Sequence, residues 1–507
     1  MKTLLVSLFA VCLSAYNVVA QTAKIHVKVK NTTSAKAYYF WQNDVLGLDF
    51  LKKEDYLINL DKEKPAVIVV NIDKPQFITL RIQSSDIQPY QIIDHDIFLS
   101  PGDDISFKAD FKSRNYGITV TGKGSENSQP MFADILKFNP DPFYGDTIPD
   151  RVIAAINKEY HASKNILNNY ISTFKPSPAF IKSKQHDLNY FAAYQFYNFK
   201  EDNKFRVEKA YKSNYAKWQR ITDSLFKTAP LDNDAAMDAA NYRDLIRDFL
   251  LREKERLWVM SSEQPVEFFK QWYGADTVAG RKSFLDDNSN LLTEKIINKS
   301  FHGEAACFAY AALLNEALYT NNPSNLISIF ERFKQQFPNS KYVDKFKSSI
   351  DQVALKQNRP VNESAVFLTD NGTKLNTFSE VLALAKGKTA LIDMWGTWCG
   401  PCREEITKNA EALKSHFKGK DVIFFYVANY DIDNEKKWKD FIVYLGLDGT
   451  QILANTNLTK DVMTKVNSNG FPTYIVINKD GGYEQSKAGY PMKREVLIKQ
   501  IETAMEK

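Results

Sequence analysis

The chain has 507 residues, which corresponds to about three domains of ordinary size. Hydrophobic residues make up 44% and charged residues 25%, a composition that is typical of globular domains and excludes a fibrous or disordered chain. The formal net charge of +5 is spread without basic runs, so we predict no nucleic-acid partner. Four cysteines are too few to staple a protein of this size, which excludes a disulfide-based scaffold.

The first twenty residues have the pattern of a secretory signal peptide. Lys2 precedes an apolar stretch at 4–15, and Val18–Ala20 provides a small residue for cleavage. A lipoprotein signal at Cys12 is the alternative, but Phe9–Val11 is a poor lipobox. No later stretch approaches the roughly 18 apolar residues of a membrane helix. We therefore predict that residues 1–20 are removed and that the protein is periplasmic or otherwise extracytoplasmic.

Residues 21–125 are predicted to form a β-sandwich-like domain. Ile25, Val27 and Val29 alternate with polar residues, which is typical of a half-buried strand. Further short strands, separated by turn residues, are predicted at 66–72, 76–82, 96–99, 105–109 and 117–121. Short strands at this spacing favour a sandwich or a barrel.

Residues 126–358 are predicted to form an all-α region that proline-containing segments interrupt. These prolines are Pro176, Pro230 and Pro323. Aromatic residues recur along the helices, and we interpret them as core, not as a binding groove. They are Tyr190, Tyr194, Tyr197 and Trp258. The polar stretch 357–360 suits a linker to a last region, residues 359–507.

The most informative segment of the chain places two cysteines at a strand-to-helix turn. The apolar run Thr389–Trp395 is followed by Trp398-Cys399-Gly400-Pro401-Cys402-Arg403. A helix that begins here directs its free N–H groups and positive dipole end at Cys399, which stabilises a thiolate. Pro401 suits a first helical turn. An attacking sulfur and a resolving sulfur at this spacing are the parts that thiol–disulfide exchange requires.

Two other interpretations of the cysteine pair need to be weighed. Half of a zinc site would need another Cys or His pair, but the other cysteines are Cys12 and Cys307 and no H-x₃₋₅-H pair occurs. A purely structural disulfide would close a very short loop and constrain the unfolded chain little. We predict no metal and no cofactor. Cys307 lies in an alanine-rich helical segment and is interpreted as a core thiol without a redox role.

Residues 389–403 resemble the active-site segment of the thioredoxin superfamily. Gly470–Thr473, followed by the apolar strand Tyr474–Ile477, resembles the cis-proline loop of that family. The resemblance covers about residues 360–507 and implies a C-terminal α/β thioredoxin-like fold. It also implies a set of substrate-binding residues beside Cys399 and Cys402, namely Trp398, Gly400, Pro401, Phe471 and Pro472.

The resemblance adds two acidic residues to the predicted catalytic site. Asp393 matches the family's buried acid, which moves protons at the resolving cysteine, and a carboxylate in an apolar strand should have a raised pKa. Glu405 resembles the active-site glutamate of TlpA/ResA-type thioredoxins, although it could also be an ordinary solvated helix residue. Peroxiredoxin chemistry is not expected, because Gly396 occupies the position of the threonine in the P-x₃-T-x₂-C signature.

The N-terminal domain carries a second resemblance. The turn Ser100–Asp103 and the later segment Thr121–Asn127 resemble the β domain that precedes exported thioredoxin domains in Bacteroidetes-type bacteria. This resemblance brings no known active site. The sequence therefore predicts a multidomain exported thiol–disulfide oxidoreductase. Its predicted partners are disulfide-bearing envelope proteins and a membrane electron donor. The alternatives are an envelope client-binding protein with an incidental dithiol and a disulfide oxidase or isomerase.

Overall fold

The computed structural model describes residues 22–42, 58–60, 65–84, 91–130, 137–274, 277–368 and 374–507. The predicted signal peptide lies outside these ranges. Within them, no helix combines the length and the apolar character that crossing a membrane requires. The chain divides into two compact units, Met1–Leu245 and Ile246–Lys507. The predicted multidomain class, with β, helical and α/β regions in that order, is confirmed, whereas the domain boundaries at 125 and 358 stay predictions.

The first unit contains eight strands in its described part. They are β1 Thr22–Lys30, β2 Ala35–Trp41, β3 Ile58–Leu60, β4 Ala66–Asn71, β5 Gln76–Ser84, β6 Ile92–Leu99, β7 Asp104–Asp110 and β8 Thr119–Lys123. They form two four-stranded sheets with the orders β4-β1-β7-β8 and β3-β2-β5-β6. β1 is parallel to β7 and antiparallel to β4, so Ile25 is aligned with both Ile105 and Ile68.

A single apolar core joins the two sheets into a sandwich. Ile25, Phe107, Leu80 and Ile97 are fully buried in one cluster that takes residues from both sheets. The alternation that predicted β1 arises because successive side chains of a strand point to opposite faces. The strand β2 was missed, because its sequence Ala-Lys-Ala-Tyr-Tyr-Phe-Trp lacks a clean alternation.

Two helices, α1 Pro149–Phe174 and α2 Pro178–Thr228, complete the first unit. The predicted break at Pro176 separates them. Tyr170 and Phe180 pack against Phe77 and Phe98 of the sandwich, which anchors the helical pair to the sheets. The helix α3 Ala240–Glu263 then runs from the first unit into the second.

The second unit begins with further helices that precede its sheet. They are α4 Pro265–Tyr273, α5 Thr277–Asp286, α6 Asn290–Ser300, α7 Gly303–Tyr319, α8 Leu326–Gln336 and α9 Lys341–Gln357. The predicted break at Pro323 separates α7 from α8. Among the aromatic residues interpreted as core, Tyr190 and Tyr197 are buried and Tyr194 is half-buried. Trp258 is 39% exposed, so the assignment was wrong for Trp258.

A six-stranded sheet with helices between its strands occupies the C-terminal part of the second unit. Its elements are β9 Ala365–Leu368, α10 Phe378–Leu384, β10 Thr389–Trp395, α11 Gly400–His416, β11 Val422–Ala428, α12 Glu435–Leu445, β12 Gly449–Leu453, α13 Thr456–Lys465, β13 Thr473–Ile477, β14 Tyr483–Gln485 and α14 Arg494–Met505. The strand order is β14-β13-β10-β11-β12-β9. β10 therefore lies in the interior of the sheet, between parallel β11 and antiparallel β13, and every residue of it is buried.

Candidate active site

The two cysteines lie where β10 passes into α11. Cys399 is the N-cap residue of α11, and its sulfur accepts a hydrogen bond from the backbone N–H of Cys402 at 3.2 Å. The two sulfurs form a disulfide, with Cys399 4% exposed and Cys402 fully buried. In the reduced protein the same N–H group and the helix dipole stabilise a thiolate at Cys399.

An aromatic cluster forms around Trp398, the residue that precedes Cys399. Trp398 is 47% exposed, and its indole Nε1 donates a hydrogen bond to the backbone oxygen of Asn429 at 2.8 Å. The rings of Phe471 and Tyr430 contact the indole, with centroids 5.6 and 6.1 Å away. Exposed aromatic side chains at this position offer a surface for an apolar segment of a substrate.

The cis-proline loop has the geometry that the resemblance implies. The peptide bond between Phe471 and Pro472 is cis, and β13 begins at the next residue, Thr473. Thr473 donates its hydroxyl to the backbone oxygen of Gly470 at 2.7 Å, which closes the loop on itself. A groove of about 530 Å³, lined by Tyr430, Phe471 and residues of α13, lies beside the loop.

Asp393 is buried in the interior strand β10, which leads to the dithiol. Its neighbours across the sheet are Tyr426 on β11 and Tyr474 on β13. Within the described part of the protein its Oδ1 has no hydrogen-bond partner. Burial, together with the charge of Glu405, raises the pKa of Asp393 to about 8, and Lys414 offsets part of this effect. A carboxyl group with this pKa can accept and release a proton near neutral pH.

Glu405 projects from the second turn of α11 into the protein and is 2% exposed. It accepts hydrogen bonds from Asn409 Nδ2 at 2.8 Å and from the backbone N–H of Met492 at 3.2 Å. Glu405 and Asp393 line a cavity of about 10 Å³, at the lower limit for one water molecule. The interpretation of Glu405 as a solvated helix residue was therefore wrong, and a buried pair of carboxyl groups accompanies the dithiol.

Comparison with known proteins identifies the C-terminal region. Residues 341–496 match the family described as Redoxin. The thioredoxin-like protein YneN of Bacillus subtilis is 25% identical over 112 residues, which are 22% of this chain and 63% of YneN. The C-terminal region belongs to the thioredoxin superfamily. It has the fold and the cysteine pair of a thioredoxin-like oxidoreductase.

Two solved structures are similar to the same region. The thioredoxin domain of a thiol–disulfide oxidoreductase from Bacteroides vulgatus is 26% identical, over 24% of this chain and 82% of that domain, with a TM-score of 0.21. A thiol:disulfide interchange protein from a Bacteroides species is 25% identical over 24% of this chain and 75% of its own, with a TM-score of 0.21. The chain spans less than two thirds of YneN.

Sequence reasoning missed two residues that shape the loop of the thioredoxin-like region. Asp431 is buried and accepts hydrogen bonds from the backbone N–H and the hydroxyl of Thr397, at 2.8 and 2.6 Å. The side-chain amide of Asn429 donates to the backbone oxygens of Trp395 and Val427. Both residues follow β11, and polar residues at the carboxyl end of a parallel strand are a recognisable signal for a site.

Cys307 lies apart from these groups on α7. It is half-buried, its sulfur lies 3.2 Å from the hydroxyl of Ser340, and burial raises the pKa of its thiol. A raised pKa disfavours the thiolate that exchange requires. In the described residues, no group of three or more His, Cys, Asp or Glu side chains could hold a metal ion.

Proposed function

We propose that this protein is an exported thiol–disulfide oxidoreductase that reduces disulfides of envelope proteins. The observation that supports the activity is the Cys399–Cys402 disulfide at the start of α11, next to the cis-proline loop. The signal-peptide pattern of residues 1–20 supports the location, and the aromatic cluster of Trp398, Tyr430 and Phe471 supports a polypeptide substrate.

The reaction begins with the reduced dithiol. The thiolate of Cys399 attacks one sulfur of a substrate disulfide, the substrate S–S bond breaks, and one substrate sulfur leaves as a thiolate. The thiolate of Cys402 then attacks the sulfur of Cys399. The mixed disulfide breaks, the second substrate sulfur leaves, and the protein is left with the Cys399–Cys402 disulfide. Two electrons have passed from the protein dithiol to the substrate.

The buried carboxyl groups serve the second step. Cys402 is fully buried and must lose its proton before it can attack. Asp393, which has a pKa of about 8 and lies in the strand that leads to the dithiol, is the proposed acceptor of that proton. Glu405 is held by Asn409 and by the backbone of Met492, so its charge has a fixed place beside Asp393.

The Gly-Pro pair between the cysteines favours the reducing direction, because it resembles reducing thioredoxins more than oxidising family members. Reducing and oxidising members of the superfamily differ by about 150 mV, or roughly 7 kcal/mol for two electrons. A reductant in an oxidising envelope becomes oxidised unless a donor recharges it. We therefore propose a membrane electron donor that transfers two electrons to the Cys399–Cys402 disulfide.

The test is reduction of insulin disulfides by the full-length mature chain. We expect activity in the native protein, loss of activity in Cys399→Ser and native activity in the matched control Cys307→Ser. Cys402→Ser should accumulate mixed disulfides with envelope proteins, which would identify the substrates. An inactive native protein would favour the client-binding alternative, and a reduction potential near that of oxidising family members would favour an oxidase or isomerase.

A further inference from the structure

Arg403, the residue directly after Cys402, is buried in a way that its position on a first helical turn does not predict. Only 4% of its surface is exposed. A buried cation is costly unless a partner compensates its charge. In the described part of the chain, however, Arg403 makes no ion pair with a carboxylate and hydrogen-bonds only to backbone oxygens.

Two carbonyl groups hold the guanidinium group of Arg403. Its Nε donates to the backbone oxygen of Thr320 at 2.9 Å, and its Nη1 donates to the backbone oxygen of Thr397 at 2.5 Å. The ring of Phe441 lies 5.6 Å from its central carbon. Thr320 is the C-cap residue of α7, where helix carbonyls lack partners within the helix and the dipole is negative. The C-terminal end of α7 thus binds the guanidinium group.

The guanidinium group of Arg403 lies beside the start of α11. A Cβ atom placed on Gly400 would be 3.9 Å from Nη2 of Arg403 and 4.0 Å from Cγ2 of Thr320. Gly400 follows Cys399 directly, and Thr397 precedes it by two residues. The guanidinium charge, which no carboxylate pairs with among the described residues, therefore lies close to the helix end that begins at Cys399. In a protein interior such a charge is screened much less than in water.

The groups that face Arg403 leave it charged at neutral pH. Burial lowers its pKa to about 10, and electrostatic interactions with Tyr444, Asp431 and Glu316 oppose that shift. Of these, Asp431 already accepts two hydrogen bonds from Thr397, and Glu316 is exposed. Neither carboxylate neutralises the guanidinium group through a direct ion pair.

We infer that Arg403, held by the C-terminal carbonyl of α7, is a positioning residue that stabilises the Cys399 thiolate and thereby sets the reduction potential of the dithiol. The inference rests on the proposed function. The disulfide carries no charge, whereas the reduced form carries the thiolate, so a nearby cation favours the reduced form and raises the potential. The C-terminal end of α7 is then part of the redox centre, because it fixes the position of the guanidinium group of Arg403.

The test measures the equilibrium between the full-length protein and glutathione. One Cys399–Cys402 disulfide and two glutathione thiols exchange for one protein dithiol and one glutathione disulfide. For Arg403→Gln we expect about a tenfold shift of this equilibrium toward the protein disulfide, equivalent to about 30 mV, and a higher pKa of Cys399 in thiolate absorbance. An unchanged equilibrium and pKa in a folded variant would overturn the inference.

Arg403→Lys separates charge from packing. It keeps the cation but loses the fork of donors, and we expect it to stay within about threefold of the native equilibrium. A lysine variant shifted as far as the glutamine variant would assign the effect to packing and overturn the electrostatic explanation.

Thr320→Asp tests the same charge without altering the buried arginine. It places a carboxylate at a half-exposed position beside Gly400 and Arg403, and Thr320→Asn is its matched neutral reference. The aspartate should raise the pKa of Cys399 and favour the disulfide relative to the asparagine, and identical values would contradict the inference. A native protein that does not exchange with glutathione at all would instead refute the proposed function.

Discussion

The sandwich core and the surroundings of the dithiol differ in how their buried polar groups are compensated. In the sandwich, His95 is buried and its Nε2 is hydrogen-bonded to the backbone oxygen of Ser128 at 2.8 Å. Near the dithiol, Asp393 has an oxygen without a partner among the described residues, and Arg403 has no carboxylate in contact. Asp393 and Arg403 each lower the stability of the folded protein, because a buried polar group without full compensation costs free energy.

The difference indicates where the chain gives up stability for chemistry. The sandwich fills its core with apolar side chains, and its resemblance brings no known active site. A redox centre needs a proton acceptor near neutral pH and a charge near its thiolate, and both require burial that a stable core would avoid. The variants below test whether substitutions in the sandwich and near the dithiol differ in their effects on stability and on redox chemistry.

The largest loss of stability is expected in the sandwich. Phe107→Ala removes a fully buried ring from the core cluster and should lower the free energy of unfolding of that domain by about 3–5 kcal/mol. Denaturant unfolding combined with hydrogen exchange of residues 22–123 would measure the loss. The glutathione equilibrium of the folded variant should stay native, and a shifted equilibrium would break the comparison.

Removing the ionisable group of Asp393 should raise the free energy of unfolding, whereas Phe107→Ala lowers it. An unfolded aspartate has a pKa of about 3.9, whereas that of folded Asp393 is about 8. Between these values the folded state keeps a proton that the unfolded state releases, so stability falls as pH rises, by at most about 1.4 kcal/mol per pH unit. Asp393→Asn should therefore stabilise the oxidised protein by about 2–4 kcal/mol at pH 8 and little at pH 4.

Denaturant unfolding of the oxidised protein from pH 4 to pH 9 would check this prediction. Asp480→Asn, at an exposed position in the same region, is the matched control and should show no pH-dependent gain. A constant difference between Asp393→Asn and the native protein at all pH values would contradict the assignment. The same substitution should slow insulin reduction near neutral pH, because Cys402 loses its proton acceptor.

A matched pair of threonine–aspartate contacts allows a direct comparison of the two regions. Thr397 donates its hydroxyl to buried Asp431 at 2.6 Å, and Thr79 donates to exposed Asp96 at 2.8 Å. Asp431→Ala should cost about 1–3 kcal/mol, because it leaves the buried N–H of Thr397 unpaired, whereas Asp96→Ala should cost under about 1 kcal/mol. Equal losses in denaturant unfolding would show that burial does not separate the two sites.

The smallest effect is expected at the exposed ring of Tyr430. Tyr430→Ala should change stability by less than about 0.5 kcal/mol, because the side chain is 58% exposed. It should raise the KM for insulin several-fold, since the ring extends the aromatic surface of Trp398 and Phe471. Tyr483→Ala, on the edge strand β14, is the control and should leave KM unchanged. A native KM in both variants would remove Tyr430 from the substrate surface.

The sequence contained the local part of the site but not the part that tertiary structure creates. The apolar run of β10, the helix that starts at Gly400 and the loop at Pro472 are each legible from a few neighbouring residues. Their presence required no knowledge of distant segments.

The burial of Glu405 and Arg403 depends on segments far away in the chain. Met492 lies 87 residues after Glu405, and Thr320 lies 83 residues before Arg403. No local pattern distinguishes either residue from the exposed charges of the same helix. Helical periodicity predicts one apolar face, but it does not predict which charged side chains a neighbouring segment will cover.

Gly396 shows how one missing side chain restricts the chemistry that the loop can acquire. A Cβ atom at this position would lie 2.4 Å from Nε1 of Trp398 and 3.0 Å from the backbone oxygen of Asn429. The indole of Trp398 therefore occupies the space that a peroxidase-type threonine would need. Replacing Gly396 by threonine would therefore displace the indole of Trp398. The threonine of a peroxidase and the tryptophan of this site cannot occupy the same space.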